Sequence, residues 1–355
     1  MTEKTKIALL FGGRSAEHEI SLVSAASIYK NLNPKKFEIQ SIYINKEGNW
    51  RLVPSPLLSF AELSDGSFFP FIPWARREDT PDVNADIYFP VLHGPFGEDG
   101  TIQGFFEMAD VPYVGAAVLA SAAGMDKAIA KILFQTKNLP VAKYAVFFEE
   151  DWLLQSEITL KKIQEEFSLP LFVKPANLGS SVGISQVKNY DVLGQALTEA
   201  FLYDNKILVE EAIHGREIEC SVLGNTNPIA SLPGEVIPHR EFYDYKDKYI
   251  DGNTTFGIPA DLPENSIKKI QDLSIKAFEA VNCSGMARVD FFLQDKTNTI
   301  YLNEINTIPG FTEISMYPKL WEVSGLSFPD LLEKLIELGF EKHRTKKRNT
   351  LGFIS

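Results

Sequence analysis

The chain opens with KIALLFGG, an unbroken apolar run closed by a glycine pair. SAEHEISLVSAASIYKNL follows, with apolar residues at helical spacing. Short apolar runs bounded by turn residues predict buried strands, and spacings of three and four predict helices. On that basis FEIQSIYIN and ADIYFPVLHG are further strands and TIQGFFEMA a further helix. Strand–helix alternation predicts a parallel sheet, so residues 1–122 form one α/β domain. SAAGMDKAIAKILFQTKNLP predicts a helix ending before Pro140. VAKYAVFF, LPLFVKPAN, VGISQV and KILVEEAI predict strands, with DVLGQALTEAFLYD as a helix; a second, smaller domain covers 123–214. From Gly215, REIECSVLG and PIASLPGEVI predict paired strands, and EFYDYKDKYIDGN a polar, aromatic loop. ENSIKKIQDLSIKAFEAV is an amphipathic helix, and FPDLLEKLIELGF closes a third domain over 215–345. The fold class is thus α/β and α+β in three domains, with a parallel sheet in the first.

Between those last two helices lie MARVDFFLQ and LNEINTIPGFTEISMYP. A strand sends residues i and i+2 to one face. Glu304 and Asn306 therefore project side by side, and Arg288 and Asp290 repeat the device. An unpaired carboxylate in so apolar a run would cost several kcal/mol. Asp290, Glu304 and Asn306 are hard oxygen ligands of the kind that suits Mg²⁺ together with substrate phosphate. A polar edge of an exposed sheet is the alternative.

Composition narrows the field. With 355 residues, 45% apolar and 23% charged, the chain is an ordinary globular protein of two or three domains. No apolar run reaches the ~18 residues of a membrane span. The N-terminal run is a strand rather than a signal peptide, because charge resumes at Arg14 with no small-residue cleavage site. A net charge of −12 disfavours nucleic acid. Cys220 and Cys283 lack metal-type spacing and fit a reducing cytoplasm. The basic end, EKHRTKKRNTLGFIS, is expected to be solvated, with 346–355 a disordered tail.

Other motifs carry weaker signals. GSSVG at 179–183 matches the hydrolase elbow G-x-S-x-G, which needs a strand–turn–helix setting. Here it joins two strands, which disfavours a hydrolase. Its small residues could close backbone N–H groups around an anion, with Lys174 at the end of the preceding strand, or form a simple hairpin turn. Neither a Walker A loop nor G-x-G-x-x-G occurs. In HGPFGEDG, Glu98 and Asp99 are expected to cap the next helix, and His93 is the functional candidate at the strand end. Glu17 alone would be a helix-opening acid, and Lys127 a solvated helix lysine.

Together GGRSAEHEISL, HGPFGEDGTIQG, MDKAIAK, FVKPANLGSSVGIS, GREIEC, EFYDYKDKYI, GMARVDFF and LNEINTIPGFTEISMYP resemble, in order, the D-alanine–D-alanine ligases of the ATP-grasp superfamily. The resemblance covers most of residues 6–340. It implies a three-domain ATP-grasp ligase with an N-terminal pre-ATP-grasp domain, a cytoplasmic homodimer acting on D-alanine and ATP. It implies two Mg²⁺, with Mn²⁺ as a substitute, held by Asp290, Glu304 and Asn306. Lys127, Lys174 and Lys248 would reach the ATP phosphates under the loop of Gly179 and Ser181. Glu210, with the backbone near Glu211 and Ile213, would hold adenine, and Glu217 the ribose. Glu17 would pair with the first D-alanine's ammonium beside His93. Arg288 and the Gly310 N–H would face the tetrahedral intermediate. Ser315 and Met316 would take the second substrate's carboxylate. Ser180 and Tyr249 would bridge to Glu17 and lock the lid. Tyr249 favours D-alanine over D-lactate as the second substrate; a ligase using D-serine or D-lactate is the alternative.

Overall fold

A computed structural model describes residues 3–68, 85–237 and 255–348. The first region contains β1 (Thr5–Gly12), α1 (His18–Asn31), β2 (Phe37–Ile44), β3 (Trp50–Val53), α2 (Phe60–Ser64), β4 (Ser67–Phe68), β5 (Ile87–Val91) and α3 (Thr101–Met108). Its sheet runs β4-β3-β2-β1-β5. β1 pairs parallel with β2 and with β5, as expected. Ile7 to Phe11 have no exposed surface, the continuous apolar run of a strand covered on both faces. The sheet's far edge is antiparallel, which the sequence reading did not foresee. The cause is local: Gly48, at φ 87, closes a tight turn on the Asn45 carbonyl, and a tight turn can only reverse the chain.

The helix expected to end before Pro140 is two helices, α4 (Val118–Met125) and α5 (Lys127–Thr136). Asp126 separates them with an extended ψ of 101°, and its carboxylate accepts from the N–H groups of Ala128 and Ile129. It is an N-cap placed inside an apolar periodicity that continues on both sides. β6 (Tyr144–Phe148), α6 (Glu149–Glu166), β7 (Leu171–Pro175), β8 (Ser185–Val187), α7 (Leu193–Phe201) and β9 (Lys206–Glu211) follow. Their antiparallel sheet, β6-β9-β7-β8, packs on α6 and α7 through Ile163, Leu171, Val173, Leu197 and Val209. α6 had no counterpart in the sequence reading. Its buried residues are only Thr159 and Ile163, while Leu153, Leu154 and Ile158 are exposed.

The remaining elements are β10 (Gly215–Gly224), β11 (Ile229–Ala230), β12 (Gly234–Ile237), β13 (Thr255–Gly257), α8 (Glu264–Ala280), β14 (Gly285–Gln294), β15 (Ile300–Asn306), α9 (Met316–Val323) and α10 (Phe328–Lys347). The main sheet is ordered β13-β12-β10-β14-β15, with β11 beside β10. Ala120, Ala130 and Phe134 of α4 and α5 share one core with Ile218, Val289, Phe291 and Leu302. The segment around 116–142 therefore packs on this sheet, and Ala128 also meets Leu208 of the β6–β9 sheet. Another core fuses the first region to the last: Phe11, Phe89 and Val91 meet Phe311, Tyr317, Leu331 and Leu335.

α10 continues through the basic stretch that was expected to be solvated. Lys346 pairs with Glu107, and His343 and Lys347 reach Asp110 at 3.2 and 3.0 Å. Helical spacing turns these bases onto the acidic end of α3. Such exposed pairs contribute little each. Residues 349–355 lie outside the described residues.

Gly285 starts β14 against Gly115, which leads into α4. A Cβ on Gly285 would lie 3.1 Å from the Gly115 Cα and carbonyl oxygen, at a φ of 76°. Gly325 has a φ of 94° but nothing near its missing Cβ. Gly325→Ala should cost about 1 kcal/mol of conformational strain. Gly285→Ala should cost about 2–4 kcal/mol, because backbone must also move. Urea unfolding of the two variants checks this, and equal losses would refute the packed contact.

Candidate active site

Gly12 and Gly13 take left-handed φ values of 92° and 98° at the end of β1, and a Cβ on Gly12 would strike the Ile44 carbonyl. The chain can turn there only as glycine, and it delivers Glu17 to the start of α1. Glu17 makes no side-chain capping bond. Its carboxylate accepts the Ser180 hydroxyl from the β7–β8 loop. Missing side chains make the room: a Cβ on Gly94 would lie 2.7 Å from Glu17 Oε2, and one on Gly179 3.0 Å.

His93, two residues past β5, is buried. Its Nδ1–H donates to the Ile308 carbonyl at 3.0 Å, and Nε2 accepts from Ser24 at 3.1 Å. Burial pulls the imidazole pKa below its ordinary value, so the ring is neutral. Glu98 is not a cap. Asp99 alone serves the chain that way, accepting from Phe96 N and Thr101 N. Glu98 turns inward, accepts from Gly94 N at 3.0 Å and lies 3.9 Å from His93, with 13% of its side chain exposed. Burial, then the Glu17 charge, pushes its pKa up to about 8.

A second cavity, of about 340 Å³, opens between the β6–β9 sheet and the main sheet. Such a volume suits a small-molecule ligand. Lys127 sits at the mouth, where its ammonium meets the Leu178 carbonyl and lies 3.9 Å from Glu304. It is buried, unlike a solvated helix lysine. Ser180, Ser181 and Gly183 have φ values of 49°, 58° and 72°, a run of left-handed residues that can turn successive N–H groups inward. Lys174 pairs with Glu210 Oε2, and Lys131 donates to Glu210 Oε1 at 2.7 Å. Burial alone would raise the Glu210 pKa; the two ammoniums outweigh it and hold it at about 2. The Glu211 side chain turns away, accepting from Ser168 N, while Ile213 and Glu217 line the cavity.

The strand pairs meet as their spacing predicted. Asp290 lies opposite Glu304, and Arg288 opposite Asn306. Arg288 grips both Asp290 oxygens at 2.7 Å, and its Nε lies 3.0 Å from Glu219 of β10. Asn306 Nδ2 donates to Asp290 at 2.9 Å, leaving the amide oxygen outside that bond. Glu304 borders both the nucleotide-sized cavity and the smaller one holding Glu17 and His93. Arg288 and Gly310 border that smaller cavity and a third, where Ser315 and Met316 open α9. Ser315 Oγ packs under Gly310 and meets Thr312 N at 3.0 Å.

The donor set fits a hard cation. It consists of two carboxylates facing each other across adjacent strands and an amide at the end of β15; among the described residues no group of three His, Cys, Asp or Glu forms.

A model of the D-ala D-ala ligase C-terminus matches residues 133–337, and one of the N-terminus matches residues 6–116. The D-alanine–D-alanine ligase of Acetivibrio thermocellus is 48% identical, covering 97% of this chain and 98% of its own. That of Bacillus cytotoxicus is 46% identical over 97% and 98%. The chain belongs to the D-alanine–D-alanine ligase family. The solved ligase from Coxiella burnetii superposes with a TM-score of 0.86 at 40% identity, over 97% of this chain and 98% of that one. The VanG D-Ala:D-Ser ligase from Enterococcus faecalis does so at 0.83 and 36%, over 95% and 100%.

Around this D-alanine–D-alanine ligase fold the described candidates other than Asp290 line three adjoining cavities, and Asp290 lies opposite Glu304 beside a further, smaller one. Lys248 and Tyr249 lie outside the described residues. Sequence reasoning passed over Glu98, Glu219 and Lys131. Two of them carried a signal: Glu219 follows Glu217 by two in an apolar strand, and Lys131 follows Lys127 by four on one helix face. Glu98 had none, since nothing local separates it from Asp99.

A carboxyl that binds its proton more tightly in the fold stabilises the fold fully below its unfolded pKa, near 4.5, and loses that contribution as pH rises towards about 8. Between pH 5 and 8.5 the native protein should therefore lose on the order of 4 kcal/mol relative to Glu98→Gln. Denaturant unfolding at both pH values measures this; parallel pH profiles would refute the raised pKa.

Proposed function

We propose that the protein uses ATP to join two molecules of D-alanine through D-alanyl phosphate, supplying the dipeptide for peptidoglycan precursors. One observation carries this reading: Arg288, Asp290, Glu304 and Asn306 stand where a nucleotide-sized cleft with two lysines meets the pocket of Glu17 and His93.

A carboxylate is a poor electrophile, and phosphorylation gives it a leaving group. Glu17 pairs with the ammonium of the first D-alanine, and neutral His93 lies beside its carboxyl end without adding charge. Lys127, Lys174 and Lys248 hold the phosphates, with the loop of Gly179 and Ser181 above them. The first substrate's carboxylate oxygen attacks the γ-phosphorus, and ADP leaves. Asp290, Glu304 and Asn306 would hold Mg²⁺ or Mn²⁺, which neutralise charge on the transferred phosphoryl group. The amine of the second D-alanine then attacks the acyl carbon, forming the C–N bond, and the C–O bond to phosphate breaks. Arg288 and the Gly310 N–H stabilise the intervening oxyanion. Ser315 and the Met316 N–H at the start of α9 receive the second carboxylate, favoured there by the helix dipole. Ser180 and Tyr249 hold the lid to Glu17 and exclude water, which would hydrolyse the acyl phosphate.

Glu210 and the backbone beside Glu211 and Ile213 face adenine, and Glu217 the ribose. Dimerisation through the first domain and a cytoplasmic setting belong to the same reading. No helix among the described residues is long and apolar enough to cross a membrane.

Phosphate release should be fastest with D-Ala alone and slower when D-Ser or D-lactate is offered as second substrate. Equal use of L-Ala would refute the assignment. Glu304→Gln should lower kcat by about 100-fold or more; full activity in that variant would remove Glu304 from the chemistry.

A further inference from the structure

Lys131 is a fully buried lysine that the proposed chemistry leaves unused. It lies on α5 four residues after Lys127, with 1% of its surface exposed. Its Nζ donates to Glu210 Oε1 at 2.7 Å, lies 3.4 Å from the Asn303 carbonyl of β15, and stands 5.8 Å from the Tyr144 ring centre. Glu210 is thus shared between two ammoniums. Lys174 takes Oε2 as a close ion pair outside hydrogen-bonding geometry.

The two lysines are not equivalent. Lys174 is the penultimate residue of β7, near the left-handed loop, and in the reading above it turns to the triphosphate. A buried carboxylate that loses its partner is penalised by several kcal/mol. With Lys174 gone to the phosphates, Glu210 would be stranded unless a second cation remained. Lys131 is too deep to follow the phosphates, and its contact with the Asn303 carbonyl holds it in place.

We propose that Lys131 is a positioning residue for the nucleotide base: it holds Glu210 anionic through Oε1, so that Oε2 is presented to the 6-amino group of adenine. This rests on the reading that Glu210 faces the base. A fixed carboxylate accepts from an exocyclic amine and repels the carbonyl oxygen that a 6-oxopurine carries at the same place. Lys131 therefore governs discrimination between 6-amino and 6-oxo purines, although it does not touch the nucleotide.

The test uses the full-length enzyme with ATP and ITP, in Lys131→Met, Lys131→Gln and Glu210→Gln. Gln keeps a hydrogen-bond donor without the charge and serves if Met impairs folding. For both Lys131 variants kcat/KM with ATP should fall about 10–100-fold, mainly through KM, while ITP changes less than about threefold. The ATP-to-ITP ratio therefore collapses. A purely structural role would lower both nucleotides equally and keep the ratio, which overturns the proposal. If Glu210→Gln collapses the ratio and the Lys131 variants do not, the role of Lys131 fails alone. An unchanged ratio in Glu210→Gln overturns the base reading itself, and the proposal with it.

Discussion

The register of β14 against β15 on the Arg288–Asp290 side of the bulge that follows Asp290 is the constraint on which the site depends. Asp290 faces Glu304 and Arg288 faces Asn306, with Glu219 of β10 opposite Asp290 on the other side. A slip of one residue would send every one of these groups to the opposite face. The apolar residues between them prevent the slip. Val289, Phe291 and Ile305 are buried in the core that holds α4, α5 and α8 on the other face of the sheet. Burial of the alternate residues thus fixes where the charges stand.

Several of these polar groups are engaged by one another in the structure as it stands. Arg288 holds Asp290, Lys174 holds Glu210, and Ser180 holds Glu17. Each pair satisfies groups that burial would otherwise penalise, and each includes a member that the proposed chemistry assigns to a ligand. In the proposed chemistry, Arg288 and Lys174 would exchange these partners for ligand groups, while Ser180 keeps its bond to Glu17. For those two cations the cost of leaving a carboxylate would be offset by gaining another anionic partner.

The sequence was legible where chemistry follows a short period. Residues two apart in apolar strands found the centre of the site, because a strand's alternation is strict and few other patterns put charge there. Strand–helix alternation found the parallel sheet for a similar reason. It was not legible where tertiary contact overrides local pattern. α6 leaves Leu153, Leu154 and Ile158 exposed, so its apolar residues do not mark a buried stripe. Asp126 interrupts a continuous periodicity with a cap that only the flanking geometry requires. Glu98 and Asp99 are adjacent acids in one turn, and only the direction of each side chain assigns one to the backbone and the other to His93. The last helix shows the reverse error: its basic end seemed free because the acids that receive it, Glu107 and Asp110, lie more than 200 positions away.

The same distance in sequence explains how the site is assembled. Glu17 comes from the first sheet, Ser180 from a loop of the small sheet, and Glu304 from the last. The first and last regions share a core in which Phe89 meets Phe311 edge-on, so Glu17, His93 and Arg288 keep fixed positions. The small sheet has its own core, and its loop reaches Glu17 through the Ser180 hydroxyl. A site that must admit a nucleotide and two small molecules and then exclude water needs one wall rigid and one able to lift. The apolar fusion provides the first. A loop held by polar contacts such as Ser180 to Glu17 and the Leu178 carbonyl to Lys127, with left-handed serines rather than core side chains, is suited to be the second.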